Sequence, residues 1–156
     1  MISLVMDTSN SYLAVGLFQD NMCLEAFQEK GSRRQSEKAI PTLKEVLDRH
    51  HIALKDVNEM IITSGPGSYT GVRVAMTIAK TLAAVSDVRI KSVSSLAAYA
   101  GMSQALSVID ARGHKVFVGV YENGLPLIKE QVVALEDFAQ LRAEYGDFEL
   151  VGEIGC

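Results

Sequence analysis

The chain has 156 residues, which is enough for one domain or two small ones with a real core and no disulfides. Its formal net charge is −4 and its basic residues are scattered, so no broad basic surface of a nucleic-acid-binding protein is present. Cys23 and Cys156 stand alone, and Asp7 interrupts the apolar start, which excludes a signal peptide or membrane span there. These features favour a cytoplasmic protein that would need a partner to contact RNA.

The first two thirds of the chain predict the element order βββαβαβα. The first strand ends at Asp7, and a turn at Asp20-Asn21 separates the second strand from the third. The later elements follow in chain order: a helix over 35–50 with Pro41 near its start and Ser36 as its N-cap, a strand over 59–63, a glycine loop, a helix over 70–85, a short strand near 88–92 and a helix near 94–100.

The start of the chain is repeated further along. Residues 5–21 align without a gap with residues 108–124, and Asp7, Gly16 and Phe18 then meet Asp110, Gly119 and Tyr121. The second copy predicts a turn at Asn123-Gly124, a third strand over 127–132, a helix over 135–145 and a strand near 148–151. The alternative explanation of this match is that any two hairpins resemble each other.

We therefore predict two lobes, residues 1–103 and residues 104–156. Two copies of equal length would take the second lobe to about residue 206. The expectation is an incomplete second lobe, whose last strand lacks the helix that should cover it.

The glycine loop SGPGSYTG, Ser64 to Gly71, resembles a phosphate-binding loop without its usual chemistry. Val72-Arg73 follow Gly71 where a Walker A motif has lysine and a hydroxyl, and the spacing GxGxxxG is not that of a dinucleotide-binding loop. Gly65 and Gly67 allow positive φ, and Ser68 or Thr70 could cap the next helix and leave free N–H groups for an anion. The alternative to an anion-binding role is that the loop only connects the strand to the following helix.

No complete active site is visible in the sequence. Asp7-Thr8-Ser9 at a strand end could bind a metal or a phosphate, but the same residue types are common in turns. The histidines have no metal-ligand spacing, and no Ser/His/Asp or Cys/His set is evident. The sequence predicts neither catalytic residues nor a metal site, and at most a vestigial phosphate site at Asp7, Thr8, Ser9, Gly65, Gly67 and Ser68.

The helix after the glycine loop has more apolar surface than one face of a sheet can cover. Small residues recur at every fourth position and form a flat ridge, Gly71, Ala75, Ala79 and Ala83. Burial of this helix within its own lobe is one explanation, and an intersubunit helix bundle shared with the exposed side of residues 35–50 is the other. The predicted interface consists of Glu37, Ile40, Pro41, Lys44, Gly71, Val72, Ala75, Met76, Ala79 and Ala83.

Three segments give the chain a resemblance to the TsaB (YeaZ) family: Asp7-Thr8-Ser9, SGPGSYTGVR at Ser64 to Arg73, and Ile109-Asp-Ala-Arg112 before a strand. The resemblance covers essentially the whole chain, and the glycine segment is its most specific part. It implies an α/β fold of duplicated ribonuclease-H-like lobes in the actin-like and sugar-kinase-like ATPase superfamily.

The resemblance also implies a function, formation of N6-threonylcarbamoyladenosine at position 37 of tRNA. In that family the protein is the noncatalytic partner of the TsaD transferase, with a TsaE-type ATPase in the complex. The expectations are a homodimer when alone, contact with tRNA only through the complex, no cofactor on its own, and ATP or ADP within the complex. A stand-alone ATP-binding kinase-like protein or ATPase is the alternative, and a metallopeptidase is a weaker one because the metal-binding HxxxH pair of the catalytic relative is absent here.

Overall fold

The computed structural model describes residues 1–30 and 35–153, with only the backbone described at residues 35 and 36. The chain divides into two compact units. The first consists of Met1–Ser64 and Ser68–Val93, and the second of Gly65–Gly67 and the chain from Ser94 onward. The predicted N-cap at Ser36 is a side-chain contact and lies outside the described atoms.

The first unit is a mixed sheet with two helices. Its strands, in chain order, are β1 (Ile2–Asp7), β2 (Tyr12–Gln19), β3 (Met22–Lys30), β4 (Glu59–Thr63) and β5 (Arg89–Val93). They lie in the order β3-β2-β1-β4-β5, and β1, β4 and β5 are parallel while β2 is antiparallel to both neighbours. Helix α1 (Gln35–Arg49) precedes β4, and helix α2 (Tyr69–Val85) joins β4 to β5. Pro41 lies inside α1 and does not delay its start.

The core of this unit follows from period-2 strands and period-3.6 helices. Alternate residues of β2 are buried, Leu13, Val15 and Leu17, and they share one cluster with Met60 and Ile62 of β4. α1 and α2 supply the other layer of this cluster through Leu43, Val46, Ala75 and Ala79. Both helices therefore cover the same face of the sheet.

The second unit has its own sheet, with a helix on each face. Its strands are β6 (Ala105–Arg112), β7 (Lys115–Glu122), β8 (Leu125–Pro126), β9 (Gln131–Ala134) and β10 (Glu149–Glu153). They lie in the order β10-β6-β7-β8, with β9 also paired to β7. Helix α3 (Ser95–Ala100) packs on Ala105 and Ile109, whereas α4 (Leu135–Glu144) packs on the Val108 side of β6. Since neighbouring strand residues face opposite ways, the two helices lie on opposite faces.

The predicted α/β fold of duplicated ribonuclease-H-like lobes and its element order βββαβαβα are confirmed. The two glycines that the repeat aligns each leave room for an aromatic ring two residues later. A Cβ on Gly16 would lie 2.9 Å from the Phe18 ring, and one on Gly119 would lie 2.6 Å from the Tyr121 ring. Asp20-Asn21 and Asn123-Gly124 have positive φ, as two-residue hairpin turns require.

Two predicted boundaries differ from the structure. The third strand of the second copy, predicted over 127–132, is observed as two short strands on β7, namely β8 and β9, and residues 127–130 between them belong to neither. Helix α3 belongs to the second unit, where Leu96 and Ala100 pack with Ile109. The compact units consequently divide after Val93, earlier than the boundary at residue 103 that the repeat suggests.

Glu59 is a buried carboxylate at the start of β4. Ser3 Oγ donates to Glu59 Oε1 at 2.9 Å, and Lys91 Nζ lies 3.0 Å from Oε2. The hydrogen bond from Lys91, and then that from Ser3, lowers the pKa of Glu59 below its ordinary value of 4.5. The charged form is favoured in the folded state, so its contribution is present above pH 4.5 and is lost as the pH falls through the lower folded-state pKa.

We therefore expect Glu59→Gln to lower the free energy of unfolding by about 1–3 kcal/mol at pH 7, because a charged acceptor is lost from a buried site. The deficit should shrink as the pH falls below 4.5, where wild type loses the same contribution. Urea unfolding at several pH values measures both effects, with the exposed Glu37→Gln as control. An equal deficit at every pH would contradict this account of Glu59.

Candidate protein-interaction site

Asp7 ties the end of β1 to the end of β4. Its Oδ1 accepts hydrogen bonds from the Ser9 backbone N–H at 2.8 Å, from Ser9 Oγ at 2.6 Å and from Thr63 Oγ1 at 2.6 Å. Ser9 is fully buried and Thr63 nearly so, which makes an acceptor for their hydroxyls necessary. The carboxylate thus fixes the strand ends from which the glycine loop departs.

Thr8 and Ser9 fix the start of α2 on this strand end. Thr8 Oγ1 donates to the Gly71 carbonyl at 2.5 Å, and the Ser9 carbonyl accepts from the Ser68 N–H at 2.7 Å. Ser68, one of the two predicted candidates, is the N-cap of α2, because its Oγ accepts from the Gly71 N–H at 3.2 Å. A Cβ on Gly71 would lie 2.0 Å from the Thr8 carbonyl oxygen, so only glycine allows this approach.

The structure brings together four of the six residues predicted for a phosphate site: Asp7, Thr8, Ser9 and Ser68. Gly65 and Gly67 belong to the second unit, where the Gly65 carbonyl accepts from the Ser95 N–H at 2.8 Å. The hydroxyls of Thr8 and Ser9 are bonded within the cluster, which acts as a clamp between β1, β4 and α2. That these six residues are the remnant of a phosphate site stays a prediction. Within residues 1–30 and 35–153, no group of three or more His, Cys, Asp or Glu is placed to hold a metal.

The small-residue ridge of α2 packs mainly on its own unit, and its role as a partner surface stays a prediction. Gly71 is buried, and Ala75 and Ala79 have no exposed surface because they pack on the sheet of their own unit. Ala83 and Met76 also pack partly against that core. Small side chains at every fourth position bring the helix close to β1 and β4, which is the other explanation the sequence left open.

An open apolar groove lies between α1 and α2. It has a volume of about 330 Å³, and its apolar lining includes Ile40, Leu43, Leu47, Ile52, Ile78 and Leu82. A second depression of about 340 Å³ shares Ile40, Thr77 and Ile78 with the first and extends to Tyr69 and Arg73 at the start of α2. The two form one trough along the helix pair.

The rim of the trough has apolar anchors and mixed charge. Ile40 is 59% exposed and Tyr69 is 75% exposed, and the Arg73 guanidinium lies 5.4 Å from the centre of the Tyr69 ring. Lys44 and Asp48 line the α1 side. Tyrosine, arginine and branched apolar side chains around an apolar floor are typical of a protein interface.

The α1 side of the trough is anchored at its C-terminal end. Arg49 donates from Nε to Glu25 Oε1 of β3 at 3.1 Å, and His50 Nε2 lies 2.9 Å from the same oxygen. The Arg49 hydrogen bond is the main cause that lowers the pKa of Glu25 to about 2. This carboxylate therefore stays charged at neutral pH and holds the end of α1 on the sheet.

The predicted interface residues divide into three groups. Glu37, Ile40, Pro41 and Lys44 are exposed on α1, Val72, Met76 and Ala83 are partly buried, and Gly71, Ala75 and Ala79 are buried. The prediction omitted the trough residues Leu43, Leu47, Tyr69, Ile78 and Leu82. The apolar pattern of α1 and the aromatic first turn of α2 are the sequence signals that indicate them.

Comparisons with known proteins agree on one family. The model of the family "TsaD: tRNA N6-adenosine threonylcarbamoyltransferase" matches residues 28–149. The "tRNA threonylcarbamoyladenosine biosynthesis protein TsaB" of Bacillus subtilis is 33% identical over 153 residues, with 92% of this chain and 67% of that protein covered. The protein of the same name from Escherichia coli is 31% identical, with 78% and 57% covered.

The solved structure "YeaZ from Pseudomonas aeruginosa" has the same fold, with a TM-score of 0.78 and 27% identity over 85% of this chain and 67% of that one. The chain covers 57% to 67% of the length of these relatives. Among residues 1–30 and 35–153, no helix has the length and apolar character needed to cross a membrane.

Proposed function

Since the chain belongs to the TsaB (YeaZ) family, we propose that it is a noncatalytic subunit of the complex that forms N6-threonylcarbamoyladenosine in tRNA. Its role is to bind and activate a TsaD-type transferase. The names of the relatives support the pathway, and the trough between α1 and α2 supports a role in protein binding. The chemistry belongs to the transferase.

The trough is the observation that carries this proposal. Its floor is built from branched apolar side chains on two helices that are fixed to one sheet, and it is open to solvent at Ile40 and Tyr69. Such a groove accepts an apolar helix face from another chain, because a helix of that chain can pack against both α1 and α2. A helix of the transferase is the partner element that we propose.

The remaining partners follow from the same proposal. A TsaE-type ATPase joins the complex, and ATP or ADP binds within the assembly and not to this chain alone. The chain meets tRNA through the complex, consistent with its net charge of −4. Without the transferase, two copies of the chain cover the trough by forming a homodimer.

We expect Ile40→Glu to weaken binding to the TsaD-type subunit about 100-fold, because a charge would enter the apolar centre of the interface. Thermal unfolding should change little, since Ile40 is 59% exposed in the free chain. Leu125→Glu is the matched control, at a residue 68% exposed in the second unit. Isothermal titration calorimetry with the purified transferase subunit measures both variants.

Equal affinity for wild type and Ile40→Glu would contradict the trough as the partner site. Tight binding of ATP and magnesium to the purified chain without a partner would favour the alternative function, a stand-alone ATP-binding protein. The same calorimeter distinguishes the two functions.

A further inference from the structure

Two basic side chains and one acidic side chain line the trough between α1 and α2. Arg73 of α2 lines the depression that begins at Tyr69, and Lys44 and Asp48 of α1 line the groove further along the helix pair. All three charged side chains are exposed, and none forms an ion pair within residues 1–30 and 35–153. The trough therefore has a basic excess, although the whole chain has a formal net charge of −4.

The two signs of charge lie at different places along the trough. Ile40 and Arg73 share the depression at the start of α2, whereas Asp48 lies in the groove that also contains Leu82 near the end of α2. A helix rises about 1.5 Å per residue, which places Asp48 about 12 Å beyond Ile40 along α1. One end of the trough is therefore basic and the other is acidic.

Tyr69 orients the Arg73 side chain at the basic end. The guanidinium lies 5.4 Å from the centre of the Tyr69 ring, and the two residues are one helical turn apart on α2. Stacking on the ring leaves the N–H groups at the edge of the guanidinium available, and their fork matches the two oxygens of a carboxylate. Since both side chains are exposed, a carboxylate of another chain can reach this fork from solvent.

We propose that Arg73 binds a carboxylate of the partner helix and thereby fixes the direction in which that helix lies in the trough. This inference rests on the proposed function, because the partner helix is that of the TsaD-type transferase. The occupant is an apolar helix with an aspartate or glutamate at the Arg73 end and a lysine or arginine at the Asp48 end. The apolar face supplies most of the affinity, and the complementary charges select one orientation.

Calorimetric titration of the whole chain with the purified TsaD-type subunit tests the ion pair. We expect Arg73→Gln to weaken binding about tenfold and Arg73→Glu about 100-fold, because the reversed charge repels the carboxylate of the partner. Asp48→Lys should weaken binding about tenfold for the corresponding reason at the other end. Lys80→Glu is the matched control, because it makes the same change of charge on α2 at an exposed residue that lines neither depression. The control should bind as wild type does.

Two further readouts separate an ion pair from a packing role of the same side chain. The affinity of wild type should fall more steeply with rising salt concentration than that of Arg73→Gln, because screening weakens only a charged contact. Replacing acidic residues of the transferase by arginine, one at a time, should include one replacement that restores tight binding of Arg73→Glu. That residue and the basic residue whose reversal compensates Asp48→Lys should lie at opposite ends of one transferase helix.

Four results would overturn the inference: equal affinity of Arg73→Glu and Lys80→Glu, equal salt dependence of wild type and Arg73→Gln, no restoring replacement in the transferase, or an Arg73→Glu variant that weakens only the association of two copies of this chain. The last would assign the carboxylate to a second copy. Ile40→Glu distinguishes this failure from failure of the proposed function. If Ile40→Glu weakens binding and Arg73→Glu does not, only the ion pair is wrong. If neither variant weakens binding, or wild type does not bind the transferase, the trough is not the partner site.

Discussion

Replacing Gly71 with alanine is expected to destabilise the first unit by about 3 kcal/mol. The new Cβ would lie 2.0 Å from the carbonyl oxygen of Thr8, a backbone atom that is itself held in the clamp of Asp7, Ser9 and Thr63. Alanine is better than glycine within a helix by only about 1 kcal/mol, which cannot offset this overlap. The helix must move away from β1, and the Thr8–Gly71 hydrogen bond is lost with it.

The measurement is urea unfolding of Gly71→Ala beside Gly146→Ala. The control glycine follows α4, and a Cβ there would meet its nearest atom at 3.5 Å, an ordinary contact. We expect the control to stay within about 0.5 kcal/mol of wild type. A Gly71→Ala protein as stable as the control would show that α2 does not lie against the end of β1 as described.

Replacing Ala79 with glutamate is expected to prevent folding of the first unit, with a loss of about 4 kcal/mol or more. Ala79 has no exposed surface and packs in the same cluster as Met60 and Ile62. A carboxylate there would be taken out of water without a partner. Circular dichroism and the melting temperature report this loss directly.

Ala84→Glu is the matched control, because Ala84 lies on the exposed side of the same helix. This variant should melt within a few degrees of wild type. The comparison separates the two explanations of the small-residue ridge. If Ala79→Glu kept its melting temperature and lost only partner binding, the ridge would be an interface and our placement of α2 would be wrong.

The sequence predicts the order of the elements well because the signals for it are local. The N-cap at Ser68, the turns at Asp20-Asn21 and Asn123-Gly124 and the alternation in β2 all depend on neighbouring residues. The repeat adds a second, independent copy of the same meander. These signals suffice for the fold class and for most element boundaries.

Which face of α2 packs on the sheet could not be predicted in the same way, because this depends on contacts that are distant in sequence. Small residues at every fourth position indicate a close approach, but they do not say whether a sheet or another chain approaches. The Thr8 carbonyl next to Gly71 decides this question, and those residues are far apart in the chain. The trough likewise arises only when α1 and α2 lie side by side on the same sheet.

The most direct test of the proposed function is the content of N6-threonylcarbamoyladenosine in tRNA, measured by mass spectrometry after the gene is depleted. We predict that the modification falls on depletion and returns with wild type and with Leu125→Glu, but not with Ile40→Glu at equal protein level. An unchanged content after depletion, or full recovery with Ile40→Glu, would contradict a subunit that acts by binding the transferase through the trough between α1 and α2.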